Sequence, residues 1–281
     1  MRLPTTVLCI TLLAGCGSDD PAERPAEPQA ASTDTSADAA AQTGEVQDSP
    51  DVQAPQPDGP NICRNAGTDG ATASCLTPTQ TPEYYAEQAS KYFDTLDIEA
   101  PPESKPNYAA LVVRWEWAPW LLLTGYTAEA MNDTSAILKQ FDPSTVPTRD
   151  CRGFDTQPFA RCYVVFEYEG GLCPIYEEFS FNDAGEMTFI EAWSDLDGLR
   201  PMTDPADTWA EAADLPRLSN RVPGLGNATG TIDFESPWMK EAAAEDADVA
   251  DLAARAENWW AAWSDALAAA PADFFAKGCG W

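Results

Sequence analysis

Histidine is absent from the whole chain, and cations are scarce: 16 Lys and Arg stand against 46 Asp and Glu, a formal charge of −30. Without histidine there can be no Ser-His-Asp or Cys-His hydrolase. The side chain most used as a general base near neutral pH, and as a metal ligand, is also missing. Zinc sites of the usual Cys/His types are excluded, and no CxxC-like spacing offers an all-cysteine alternative. No cofactor or metal is expected. A chain this acidic is repelled by phosphate backbones, so nucleic acid is not an expected partner. Long apolar runs are lacking too. Val7 to Ala14 is too short to cross a bilayer, and Arg114, Glu116 and Pro119 interrupt the only other candidate region.

The short N-terminal run is nevertheless informative. It follows Met1-Arg2, ends in Leu13-Ala14-Gly15-Cys16 and has the shape of a signal-peptide hydrophobic region. The quartet resembles the lipobox of bacterial lipoproteins. That resemblance implies cleavage between Gly15 and Cys16, a diacylated Cys16 that attaches the protein to a membrane, and residues 1–15 as the signal peptide. By enterobacterial sorting rules, Gly17 in place of Asp favours the outer membrane and leaves the periplasmic or surface face open. Residues 16–60 then read as a disordered acidic tether: 17–60 holds no aromatic residue, and ten acids face Arg24 alone.

Cys9 leaves with the signal and Cys16 carries the lipid. Cys63, Cys75, Cys151, Cys162, Cys173 and Cys279 remain, an even set suited to an oxidising compartment. Fifteen connectivities are possible. Cys63–Cys75 is the plausible local pair, closing a loop within a lead-in of residues 61–81.

Thr81-Pro82-Glu83 is a sound helix start, with an N-cap, a first-turn proline and an acid near the positive end. Tyr85, Ala89, Tyr92 and Leu96 extend it as an amphipathic helix over 82–96. Residues 111–117 alternate as a strand does, with buried helix as an open alternative. A helix over 127–140 follows, with Ala128, Met131, Ile137 and Leu138 as apolar positions. The clearest pattern is an antiparallel meander: strands 161–168, 173–181 and 186–193, with turns at Gly170-Gly171 and Asn182–Gly185. A two-residue loop at 170–171 pairs 168 with 173, 166 with 175 and 164 with 177. One face then carries Cys162, Val164, Phe166, Tyr168, Cys173, Ile175, Phe179 and Phe181, and this is the expected core. In that register Cys162 lies ~20 Å along the strand from the position facing Cys173. That distance disfavours a bridge between them and points to Cys151–Cys162 with Cys173–Cys279.

Residues 201–281 read as a C-terminal extension. Gly224-Leu225-Gly226 has two glycines of a dinucleotide fingerprint, but no strand precedes it, so it reads as a turn. Ser236-Pro237 starts a short helix. Val249, Leu252, Ala256, Trp259, Trp260, Trp263 and Leu267 trace one face of a helix over about 246–269. That face either packs on the sheet, capping an open end, or offers a ligand-stacking surface.

Helices first, then a sheet ending in Tyr176-Glu177-Glu178-Phe179-Ser180-Phe181-Asn182-Asp183-Ala184-Gly185-Glu186-Met187 and Ile190-Glu191-Ala192-Trp193, is similar to NTF2-like (SnoaL-like, ketosteroid-isomerase-like) domains. The resemblance covers residues 82–200. It implies an α+β fold, a cone of helices packed on a curved antiparallel sheet, with a small-ligand pocket that Tyr85, Tyr92, Phe166, Glu177 and Phe179 would line. Fold alone does not imply catalysis. In ketosteroid isomerases a protonated acid lies seven residues before the phenylalanine that opens the last hairpin. Counting back from Phe181 gives Pro174, which speaks against that chemistry.

Glu177 falls on the apolar face between Ile175 and Phe179. A carboxyl there is either a desolvated general base or proton donor, or one half of a core ion pair with a partner such as Arg114. The expectation is an exported, lipid-anchored envelope protein that binds a small apolar ligand or an envelope partner without turnover. Two alternatives stay open. One is a cofactor-independent isomerase, cyclase or dehydratase that uses a pocket carboxylate such as Glu177. The other is a structural lipoprotein whose pocket is filled by its own Trp-rich tail. Oligomeric state is not legible.

Overall fold

Helix α1 (Pro82–Asp94) begins where its capping residues require: the Thr81 hydroxyl accepts the Tyr84 N–H at 3.3 Å, and Pro82 occupies the first turn. It is two residues shorter than the pattern suggested, closing at Thr95. The computed structural model describes residues 77–269 and 279, apart from 121, 203–206, 210–216 and 226–228. The signal segment, Gly15, Cys16, the tether and the Cys63–Cys75 pair lie outside the described residues.

The chain is α+β, with a curved six-stranded mixed sheet and, among the described residues, five helices. The strands are β1 (Tyr108–Glu116), β2 (Gly125–Tyr126), β3 (Thr145–Gly153), β4 (Phe159–Tyr168), β5 (Gly171–Phe181) and β6 (Met187–Ser194). Their spatial order is β2-β1-β6-β5-β4-β3. Strands β4 to β6 form the expected antiparallel meander, and β3, which was not foreseen, extends it by pairing antiparallel with β4. The sheet is not antiparallel throughout, however: β1 pairs with β6 in parallel, Val113 opposite Phe189 and Glu116 opposite Ala192. No hairpin joins these two strands, so their direction is set by the long excursion through α2 (Ala128–Phe141) and the meander.

The β4–β5 register also differs from expectation. Tyr168 faces Gly171, Phe166 faces Cys173 and Val164 faces Ile175. The loop is therefore Glu169-Gly170, with Gly171 at φ 146° leading into the strand. A slip of two residues leaves every side chain on its original face. The expected core face is accordingly buried: Cys162, Val164, Phe166, Cys173, Ile175, Phe179 and Phe181 pack with Tyr85, Ala89, Tyr92 and Phe93 of α1. The N-terminus of α1 sits close on β3, where a Cβ on Gly153 would lie 2.0 Å from the Pro82 carbonyl oxygen. Arg149 of β3 ties down the other end of α1 through ion pairs to Asp94 and Asp97.

On α2 the buried face is Ala130, Met131, Thr134 and Ser135, whereas Ile137 is only half-buried. The C-terminal extension covers the other side of the sheet. Val113, Trp115 and Phe189 form a second core with Leu218, Val222, Ile232, Met239, Val249 and Leu252. The single helix expected over 246–269 is two helices, α4 (Ala247–Glu257) and α5 (Trp259–Ala269), after α3 (Pro237–Glu245), with the break at Asn258. The apolar face divides there. Val249, Leu252 and Ala256 bury in the second core, while Trp263 and Leu267 turn towards a cavity on the first side. Trp260 faces outward and is half-exposed. Among the described residues no helix is long and apolar enough to cross a membrane.

Among the described residues two disulfides are formed, Cys151–Cys162 between β3 and β4 and Cys173–Cys279 joining β5 to the C-terminal segment. In the observed register Cys162 sits four residues from Phe166, the partner of Cys173, or ~13 Å.

Candidate functional site

Alternation along β1 sends Val113 and Trp115 into the second core, so Val112, Arg114 and Glu116 face the helices. Glu116, Ala192 and Glu177 form one row across β1, β6 and β5. The small middle residue leaves room for the Arg114 guanidinium to reach both carboxylates. Its Nη2 donates to Glu177 Oε1 at 3.0 Å, and its Nη1 donates to Glu116 Oε1 and, at 3.4 Å, to Thr124 Oγ1. Glu116 Oε2 accepts the Leu122 N–H at 3.2 Å. Glu177 is fully buried, and its second oxygen has no hydrogen-bond partner among the described residues.

Two carboxylates and one guanidinium give this triad a net negative charge in a dry place. Burial pushes the Glu177 carboxyl up to about 7, a rise that Arg114 only partly offsets. Burial raises Glu116 as well. For Arg114 burial opposes the charge, yet Glu116 and Glu177 together hold its pKa above the ordinary value. The folded protein thus keeps a proton on Glu177 that an unfolded chain, titrating near 4.5, has already released. Stability is therefore fully present below about pH 4.5 as far as this group is concerned, and is lost as pH rises through about 7. Asp142, raised to about 6 by burial, acts with the same sign. Unfolding midpoints are expected to fall between pH 5 and pH 8 by an amount on the order of 1–3 kcal/mol. Glu177→Gln should flatten most of that slope; an unchanged slope in the variant would assign the proton elsewhere.

A cavity of about 110 Å³ lies between the sheet and the helices, with Arg114 and Glu116 in its wall. Leu96, Leu122, Met131, Leu138, Ile175 and Leu267 supply its apolar lining. Asp142, Tyr168, Cys173 and Cys279 also border it, and Trp120, whose indole N–H donates to the Cys279 carbonyl at 3.3 Å, closes one side.

Of the five pocket residues named from the sequence, Tyr92 and Phe166 line the cavity. Glu177 stands one hydrogen bond behind the wall, on Arg114. Tyr85 and Phe179 lie on the expected faces but pack against other side chains and do not line the cavity. The Tyr85 hydroxyl accepts the N–H groups of Thr79 and Gln80, and its ring packs 4.8 Å from Phe181. Phe179 is wedged against Tyr92 and Phe93. Glu116 and Asp142 were not foreseen as site residues. Two charges spaced two apart in the apolar 111–117 run were the available signal for Arg114 and Glu116.

A second buried polar cluster occupies the opposite face of β5 and had no signal of its own. Glu178 accepts from Arg161 Nε at 2.9 Å and from Arg217 Nε and Nη2 at 2.7 and 3.0 Å. Glu191 accepts the Trp117 indole N–H at 2.6 Å and the N–H groups of Leu218 and Ser219. These bonds fasten residues 217–219 to the sheet and touch nothing in the cavity. Among the described residues no group of Cys, Asp and Glu is placed to hold a metal ion.

No family model matches the chain, and no curated protein matches it. Similar solved structures include a protein of unknown function with a cystatin-like fold from Methylobium petroleophilum PM1, at TM-score 0.38 and 12% identity. That match covers 45% of this chain and 86% of the other. A de novo designed protein with a curved β-sheet aligns at TM-score 0.33 and 14% identity, covering 41% and 88%. A protein of unknown function with a cystatin-like fold from Nostoc punctiforme PCC 73102 aligns at TM-score 0.27 and 12% identity, covering 40% and 90%.

Proposed function

We propose that this chain is an exported lipoprotein, held at a membrane by lipid on Cys16, whose NTF2-like cone binds a small, largely apolar ligand without turnover. The observation that carries this reading is the cavity, which has an apolar lining and charged wall residues in Arg114, Glu116 and Asp142. Its size suits a compact molecule. Ligand sites for drug-sized molecules run to ~300–1,000 Å³, whereas a dry cavity of ~150 Å³ accepts a benzene ring. Turnover is disfavoured because Glu177, the carboxyl singled out for it, is held by Arg114 and does not face the cavity. Trp263 and Leu267 close the cavity from the extension without filling it, which favours a capped binding site over a purely structural plug.

Support for export comes from the Leu13–Cys16 quartet and from the Cys151–Cys162 and Cys173–Cys279 bridges, which suit an oxidising compartment. Native mass spectrometry of the protein purified from its own host tests the binding reading. The expected spectrum carries an added mass that disappears on unfolding. A ligand-free spectrum together with no response to small apolar probes would reject it. Cys16→Ser is expected to move the protein from the membrane fraction to the soluble one; membrane retention in that variant rules out the lipid anchor.

A further inference from the structure

The charges around the cavity are unequal. Among the described residues its wall contains one cation, Arg114, and two anions, Glu116 and Asp142. Arg114 already faces two carboxylates, Glu116 on one side and Glu177 on the other, although its Nε–H has no partner among the described residues. Its single charge is outnumbered at this wall, and an anionic ligand would in addition meet the field of a −30 chain.

Asp142 differs from the other two carboxylates. It follows α2 directly, and its backbone N–H closes that helix on the Leu138 carbonyl, while its half-buried side chain has no ion-pair or hydrogen-bond partner among the described residues. Burial alone acts on its carboxyl, with no neighbouring cation to offset it. The nearest lysine on the helix, Lys139, points away and donates to the Asp94 carbonyl at 2.9 Å. The C-terminal end of α2 adds the partial negative charge of its last carbonyls at the same place.

Five aromatic residues, Tyr92, Trp120, Phe166, Tyr168 and Trp263, border the cavity beside its aliphatic lining. Aromatic faces attract cations through the ring quadrupole, most strongly where water is excluded, and they suit alkylated ammonium groups, whose charge is spread over an apolar surface.

Resting on the reading of this cavity as a ligand site, we propose that its ligand is a small organic cation, an alkyl-substituted ammonium held against the aromatic walls with Asp142 as counter-ion. The three observations point the same way. An unpaired carboxylate in the wall favours a positive charge, an arginine outnumbered by carboxylates disfavours a negative one, and the aromatic residues favour a cation with an apolar coat.

Choline and dimethylbutanol, its neutral carbon isostere, separate charge from shape. Titration calorimetry and amide NMR on the full-length protein are expected to show choline binding about ten-fold or more tightly than the isostere, with shifts at residues bordering the cavity. Asp142→Asn should remove most of that preference by weakening choline far more than the isostere, with the folded-state spectrum retained. Trp263→Leu should weaken choline more than the isostere. Equal or tighter binding of the isostere overturns the cation assignment but leaves the apolar-ligand reading standing. Choline binding that survives both substitutions belongs to the acidic surface and also overturns it. Binding of neither compound at ~10 mM, a free energy below about 3 kcal/mol, rejects both the cation and the ligand site.

Discussion

Replacing Arg114 with methionine is expected to destabilise the protein by about 3–5 kcal/mol at pH 8, the usual cost of removing one partner from a buried ion pair. The methionine fills the volume, so the cost is electrostatic. Glu177 is fully buried and Glu116 nearly so, and without the guanidinium neither has another ion-pair partner among the described residues. Two further results are required if this account holds. The loss should shrink at pH 5, where Glu177 with its pKa raised to about 7 is already protonated. The double variant Arg114→Met with Glu177→Gln should recover part of the stability lost by the single one. Urea unfolding of the four proteins at both pH values measures the coupling. A cost below about 1 kcal/mol at pH 8 would place this triad with exposed ion pairs, and the row formed by Glu116, Ala192 and Glu177 would then not be dry.

Removing the Cys173–Cys279 bridge should have the next largest effect, and a larger one than removing Cys151–Cys162. The two bridges span 106 and 11 residues. Loop-closure entropy in the unfolded chain then gives about 4.8 kcal/mol for the long bridge and about 2.8 kcal/mol for the short one. Local structure should widen the gap. Cys151 and Cys162 are already paired opposite one another across β3 and β4, so the ladder holds that geometry without the sulfur bond. Cys279 has no strand partner among its described interactions and meets the cavity wall through the bridge and the Trp120 indole. Paired alanine substitutions, compared by urea midpoint under non-reducing conditions, test the order. If the short bridge proves the more costly to lose, the stabilisation is not one of chain closure.

Particular residues show how far the fold could be read in advance. Thr81 and Pro82 marked the start of α1 because a cap is a local event, satisfied by atoms three residues away. The core face of β4 and β5 was legible although the register was off by two, since a period of two is blind to that shift. The same alternation put Glu177 on the buried face, where Arg114 now meets it. It also put Glu178 on the other face, whose burial carried no signal, because nothing local announced that residues 217–225 and α3–α4 would cover it.

The cavity was less legible than the core. Tyr92 and Phe166 lie where two elements diverge, whereas Tyr85 and Phe179 have the same polarity and face but lie where the elements meet. Whether an inward aromatic lines a space or fills one depends on the tilt of α1 over the sheet, which no periodicity encodes. Asp142 and Trp263 belong to distant segments, and only packing brings them to one wall.

Composition alone settled the exclusions, since no arrangement of a chain without histidine yields histidine chemistry. Helix caps, strand faces and the burial of Glu177 followed from short-range periodicity and steric rules. The parallel pairing of β1 with β6, the break at Asn258, the ion triad of Arg114, Glu116 and Glu177, and the space beside it were decided by tertiary structure. Each of these depends on segments tens of residues apart competing for the same surface, and that competition is resolved only when the whole chain is packed.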